Sequence, residues 1–428
     1  LRPYRTEPES RMNCITRSLP RIVGIATLVY LGAASVAAAD DGLTYGIRYT
    51  VRPDPIDRSI EVTLQLMQPR ALLRQLSMQP DDRVTDISAD GDLKFPAAGV
   101  AWRPPPEGGT MQWRVRVDHR RNGDGYDAWL GDTWGLFRAE DIIPRAATRT
   151  LRGAVSNTEI VFDLPKDWSV VTQYFGRDRV FRVANPERRF DQPSGWIILG
   201  DVGVRRERIA ATRVAVAGPV GQSVRRMDTL ALLNWTLPEL ARLVPEMPGR
   251  LTVFSAGEPM WRGGLSAPQS LFVHTDRPLI SENATSTLLH EVMHLALGIR
   301  AADGYDWIVE GLAEYYSLEL LARSGTISAS RYETARSGQR KWGRSADTLC
   351  KAMSSGATSA LAVSRFADLD QEIRTATGGR ASLDDVVRTI WQMDERIDLD
   401  TLVGATEALI ERKPDTLHIG NLPGCRNI

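Results

Sequence analysis

The sequence predicts an α+β protein in which a β-sandwich-like domain over residues 40–220 precedes a mainly helical domain over residues 221–428. Three observations carry this. Up to about Arg213 the apolar residues fall in short, often alternating runs separated by turn clusters, whereas after Gly221 they recur at helical spacing. The 428 residues also exceed what a single typical core holds. The composition, 43% apolar and 25% charged, is that of an ordinary globular protein. Basic and acidic residues balance at 53 each, so no global field recruits nucleic acid or an anionic membrane surface.

Ahead of the first strand, Met12 is followed by Arg17, Arg21, an apolar run from Ile22 to Ala38, and the small residues Ala37-Ala38-Ala39 before Asp40. This is the layout of a secretory signal over residues 12–39, cleaved after Ala39, and it predicts a periplasmic or secreted mature chain. The run falls short of the roughly 20 residues a spanning helix needs, and no later stretch is long and apolar enough. The mature chain is therefore expected to have no stable membrane span. Strands are expected at Tyr45 to Val51, Ile60 to Leu66, Met111 to Val117, Glu159 to Leu164, Trp196 to Leu199 and Thr212 to Val216. Turn clusters such as Pro104-Pro105-Pro106-Glu107-Gly108-Gly109 and Pro193-Ser194-Gly195 separate them. Cys14 belongs to the signal, which leaves Cys350 and Cys425 as two free thiols or as one disulfide. In an oxidising compartment such a bridge would stabilise by about 4 to 5 kcal/mol on the loop-entropy model.

Past Gly221 the first amphipathic helix runs from Met227 to Leu243 and stops at Pro245 and Pro248. Two strand-like runs follow, Leu251 to Ser255 and Ser270 to His274, with the turn Gly263-Gly264 between them. Helices are expected over Ala284 to Leu297, Trp307 to Ala322, Arg365 to Ala376 and Leu383 to Met393. In the first of these, His290-Glu291-Val292-Met293-His294 puts two imidazoles one turn apart on the same face, the arrangement that shares a tetrahedral zinc. Thr287, His290, Glu291 and His294 make one polar stripe, and Leu288, Leu289, Val292, Leu295 and Ala296 cover the opposite side. Asp306 is a candidate N-cap for the next helix, where Glu310 would supply a third ligand. Gly311 directly after it suggests close packing on the helix bearing the histidines. Two histidines and one glutamate leave a fourth position open, as a catalytic Zn2+ site requires. Glu291 would then take a proton from the water on the metal, and Glu314, one turn beyond Glu310, would orient a ligand imidazole.

His-Glu-x-x-His followed by Trp307-x-x-Glu310-Gly311-x-x-x-Tyr315-Tyr316 resembles the gluzincin zinc metallopeptidases, in detail more the glycyl aminopeptidase family than the thermolysins. The resemblance extends upstream to Trp261-Arg262-Gly263-Gly264-Leu265-Ser266 and downstream to Thr377-Gly378-Gly379-Arg380-Ala381-Ser382-Leu383-Asp384-Asp385. It implies a mainly helical, thermolysin-like catalytic domain acting on a peptide or protein substrate, with Gly263 and Gly264 beside the substrate. It also implies that Ser270 to His274 is the edge strand along which substrate backbone lies. The chain departs from that family in three places. Only fifteen residues separate His294 from Glu310. No acidic residue follows the Gly-Gly pair, where Leu265-Ser266-Ala267-Pro268 stands, and Ala357-Thr358-Ser359 replaces an expected tyrosine pair. Tyr305, Tyr315, Tyr316 and Tyr332 compete for the role of oxyanion donor. The alternative reading is a zinc-bound scaffold that binds peptides or envelope partners without catalysis. His274, His119 and His418 are read as structural.

Overall fold

Leu251 and Val253 face one core while Phe254 and Ala256 face another, the period-2 alternation of a strand covered on both sides. This strand, Arg250–Ala256, lies at the centre of a five-stranded mixed sheet. Val202–Ile209 and Thr212–Pro219 form an antiparallel hairpin, and Arg250–Ala256 and then Ser270–His274 add in parallel. Gly264–Ala267 closes the edge, antiparallel to Ser270–His274. The edge strand is thus Gly264–Ala267. Ser270–His274, expected there, is internal and buried throughout, because its apolar residues Leu271, Phe272 and Val273 contribute to the cores on both faces.

The computed structural model describes residues 42–425, apart from 98, 122–124, 185–189 and 394. The expected secretory signal and Cys14 lie outside the described residues. The molecule is mixed α+β, and up to Pro219 the regular elements among the described residues are strands apart from the short helix Ala139–Ile142. A seven-stranded sheet runs in the order Phe175–Arg177, Val180–Val183, Val155–Phe162, Thr44–Asp54, Ser59–Met67, Gly108–Arg116, Val84–Ala89. Its alternation is clean: Tyr45, Ile47, Tyr49 and Val51 point into the core and their neighbours do not. In a second sheet Trp134–Arg138 pairs with Trp196–Gly200, and this sheet meets the mixed sheet through a further apolar cluster, with Trp134, Leu136, Trp196 and Ile198 on one side and Phe254 and Phe272 on the other.

The helices among the described residues are α1 (Ala139–Ile142), α2 (Arg226–Leu243), α3 (Thr287–Leu297), α4 (Asp306–Arg323), α5 (Ala329–Gly343), α6 (Ala357–Thr377), α7 (Leu383–Trp391) and α8 (Leu399–Ile410). None of the described helices is long and apolar enough to cross a membrane. Ser286 caps α3 by accepting the Leu289 N–H at 3.2 Å, and Gly298, at φ 59°, ends it in the left-handed conformation that a side chain would disfavour. Asp306 does not cap α4. It is the first helical residue, and its Oδ2 accepts the Ser354 N–H at 2.5 Å, tying α4 to the segment before α6. Gly311 also differs from expectation. A Cβ there would lie 2.5 Å from Ala362 Cβ and 2.8 Å from the Phe366 ring, so the close approach is to α6 and not to the histidine helix. Helix α5 gave little signal in the sequence because it buries only Ala335, Gln339 and Gly343, a stripe of small and polar residues four apart. Cys350 and Cys425 form a disulfide that links the segment before α6 to the end of the described chain.

Candidate metal centre

Helix α3 is apolar on the side facing the core, and this orients its polar stripe toward α4 and the edge strand. The two imidazoles then converge, with Nε2 of His290 3.0 Å from Nε2 of His294. Glu310, one turn into α4, places Oε2 3.4 Å from His290 Nε2 and Oε1 3.3 Å from His294 Nε2. Among the described residues these three side chains are the one group of histidine, cysteine and carboxylate donors close enough to share an ion. Their spacing fits zinc. Ligand bonds of about 2.0 to 2.1 Å in a tetrahedron put donor atoms about 3.3 Å apart. Two imidazole nitrogens at such a distance need a shared proton or cation between them.

Electrostatics around the cluster follow from burial and charge. For His290, burial works against the charged form, but the carboxylates of Glu310 and Glu314 outweigh it and raise the pKa. Burial would likewise raise the Glu310 pKa, yet the two histidines hold it down, at about 2. In the absence of an ion His290 and Glu310 therefore pair as charges. Glu314 sits behind His290: its Oε2 accepts from His290 Nδ1 at 3.2 Å, and its Oε1 accepts from Gln339 Nε2 at 3.3 Å. That bond puts a proton on Nδ1 and leaves the Nε2 lone pair for an ion.

Glu291 is only 7% exposed, and burial raises its pKa against the lowering effect of the two histidines. Ser266 on the edge strand hydrogen-bonds it. The same strand passes so close that a Cβ on Gly264 would lie 2.6 Å from Thr287 Cγ2 and 2.9 Å from Glu291 Cγ. Only glycine allows this approach.

These groups line a cavity of about 400 Å³ that includes His290, Glu291, Glu310, Glu314, Gly263 and Gly264. Trp261, Arg277, Gln339, Trp342, Ser354 and Ser359 share its wall and carried no functional signal in the sequence. Two of them had a clue: Trp261 opens the motif that runs into Gly263-Gly264, and Ser359 stands where the tyrosine pair was expected. None of the four candidate tyrosines is among the lining residues. Tyr316 donates to Asp384 Oδ1 at 3.0 Å and Tyr332 hydrogen-bonds Glu319, while Tyr315 is buried in the core. His274 is buried away from this cavity and accepts the Asp276 N–H at Nδ1 over 3.1 Å. His119 pairs with Asp127 and His418 accepts from Gly420 N–H, both far from the cluster in the chain.

A strand-rich N-terminal portion, a mixed sheet whose edge passes the His-Glu-x-x-His helix, and a glutamate on the following helix make up a fold shared with solved gluzincin zinc metallopeptidases. The particular structures it is similar to belong to the M1 group. An aminopeptidase N family protein from Idiomarina loihiensis superposes with a TM-score of 0.60 at 16% identity, over 81% of this chain and 70% of the other. A two-domain M1 zinc metallopeptidase with L-tryptophan bound gives a TM-score of 0.54 at 16% identity, over 88% and 92% of the two chains. Leukotriene A4 hydrolase from Saccharomyces cerevisiae gives 0.50 at 14% identity, over 87% and 66%. What is shared at these identities is the fold. No family model and no curated protein matches the sequence.

Proposed function

We propose that this chain is a zinc-dependent metallopeptidase that hydrolyses peptide bonds outside the cytoplasm. The observation that carries the reading is the convergence of His290, His294 and Glu310 with the buried carboxylate of Glu291 beside them. A purely structural zinc would have no use for a base at that point. The two Nε2 atoms and the Glu310 carboxylate hold the ion, and Glu314 keeps His290 in the tautomer that can ligate. Bound there, zinc polarises the scissile carbonyl and lowers the pKa of the attacking water.

The protein's own residues do the rest. Gly264–Ala267 has one edge paired with Ser270–His274 and the other free among the described residues, so an extended peptide adds there as a further strand. Gly264 lets that strand lie against Glu291. Glu291 accepts the proton of the attacking water and returns it to the leaving nitrogen. Its burial favours the protonated form and so makes it a stronger base than a solvated carboxylate. Export is supported by the secretory layout of residues 12–39 and by the Cys350–Cys425 disulfide, since such bonds persist in oxidising compartments. We place the mature chain, beginning after Ala39, in the periplasm or outside the cell.

The test is turnover of an internally quenched peptide library by the purified protein, with and without chelator, alongside metal analysis. Chelator-sensitive hydrolysis with stoichiometric zinc is expected, and Glu291→Gln should keep the zinc while losing about 100-fold in rate. A scaffold would show no hydrolysis in either protein. Metal-dependent hydrolysis unaffected by Glu291→Gln would refute the mechanism.

A further inference from the structure

The carboxylates of the cavity are all engaged. Glu310 faces both imidazoles, Glu314 accepts from His290 and Gln339, and Glu291 is hydrogen-bonded by Ser266. An ammonium group entering this cavity finds no spare anion on its wall. The cation there is in the opposite situation. Arg277 lines the cavity and donates from Nε to the Arg262 carbonyl at 2.8 Å, but neither of its terminal nitrogens has a partner among the described residues. Its backbone is held on both sides: its N–H donates to the His274 carbonyl at 3.0 Å, and its own carbonyl accepts from Arg225 Nη2 at 2.9 Å.

A guanidinium tethered through Nε keeps its outer N–H groups available as a planar fork, the geometry that pairs with a carboxylate through parallel hydrogen bonds. One further wall residue lacks a partner at a buried atom, Gln339 at Oε1, which suits an amide N–H of a peptide. We infer that Arg277 binds a carboxylate of the substrate and that the site therefore takes acidic peptides. The inference rests on the peptidase reading. The carboxylate comes either from an aspartate or glutamate side chain or from the C-terminus of the peptide.

Four quenched peptides of equal length separate these cases: one with an internal aspartate and an amidated C-terminus, one neutral with a free C-terminus, one neutral and amidated, and one with an internal lysine and amidated. Their kcat/KM values are measured with the wild type and with Arg277→Ala, Arg277→Lys and Arg277→Glu. Binding of the same peptides to zinc-loaded Glu291→Gln, with and without Arg277→Glu, is followed by fluorescence anisotropy. We expect a preference of about 10- to 100-fold for one or both acidic peptides over the neutral amide. It should collapse in Arg277→Ala, survive in part in Arg277→Lys and reverse toward the lysine peptide in Arg277→Glu. Zinc content and circular dichroism of each variant exclude misfolding as the cause, and a purely structural role for Arg277 would not follow the sign of the charge. Hydrolysis that is indifferent to peptide charge overturns this inference and leaves the peptidase reading intact. Arg277-dependent binding of the acidic peptides without hydrolysis supports the inference and overturns the peptidase reading. Neither hydrolysis nor charge-dependent binding overturns both.

Discussion

Glu314 makes the sharpest single-residue case, because it touches the cluster only through the far nitrogen of His290. Losing that bond frees the imidazole to rotate and to protonate at Nε2. Glu314→Ala should therefore weaken zinc binding by about 10- to 100-fold, and competition with a chromophoric chelator would measure it. Removing any of His290, His294 or Glu310 is more severe, since only two protein ligands remain. The raised pKa of His290 carries a pH dependence as well. Its protonated form is the metal-free partner of the two glutamates, so zinc must displace a proton, and affinity should fall as pH falls. Calorimetry in buffers of different ionisation enthalpy would show the released proton; equal heats in all buffers would contradict the pairing described here.

At the scale of elements, α4 carries Glu310 and is held from two sides. Its C-terminal end is pinned by Asp384 at the start of α7, which accepts from Arg323 Nη1 at 2.7 Å, Arg323 Nη2 at 3.0 Å and Tyr316 at 3.0 Å. Burial would raise the Asp384 pKa, but Arg323 and Tyr316 together lower it. A carboxylate whose pKa is lower folded than unfolded contributes stability that is complete above its unfolded value, about 3.9, and is lost as pH falls through the folded value. Asp384→Asn should thus cost about 2 kcal/mol at neutral pH, with the difference from wild type fading in acid; denaturant titrations at several pH values would follow it. On the other side Gly311 meets α6. Alanine at Gly311 would gain about 1 kcal/mol of helix propensity. It would also force its Cβ to 2.5 Å from Ala362 Cβ, where neither helix backbone can yield. Overpacking of this kind costs about 1 to 3 kcal/mol, so Gly311→Ala should lower stability and, by shifting Glu310, weaken zinc binding. An unchanged melting temperature with full zinc content would show that α6 can move aside.

Across the whole molecule, the Cys350–Cys425 bridge spans 75 residues and anchors the segment that leads to Ser354 and Ser359 in the cavity wall. Closing a loop of that length restricts the unfolded chain by about 4 to 5 kcal/mol on the loop-entropy model. Replacing both cysteines by alanine should lower the unfolding free energy toward that amount. Loosening the wall should raise KM more than it lowers kcat, because the bridge reaches the metal ligands on α3 and α4 only indirectly, through the Asp306–Ser354 bond. A fall in kcat with KM unchanged would place the effect at the metal instead.

The mixed α+β class, the His-Glu-x-x-His face and Glu310 were legible in the residues themselves. A helix repeats every 3.6 residues and a strand every two, so which side chains share a face is a local property of the chain. That Glu314 shares a face with Glu310, one helical turn away, was legible for the same reason. Other features were decided only by the tertiary structure. Gly264–Ala267 takes the sheet edge in place of Ser270–His274, Gly311 meets α6 and not α3, and Asp306 bonds Ser354 instead of capping its helix. Arg277, Gln339 and Ser354 reach the cavity wall from loops and a mostly polar helix with no apolar period to mark them. Each of these depends on contacts between segments far apart in the chain. No local spacing encodes such contacts, because the packing of the two cores against the mixed sheet determines which segments meet.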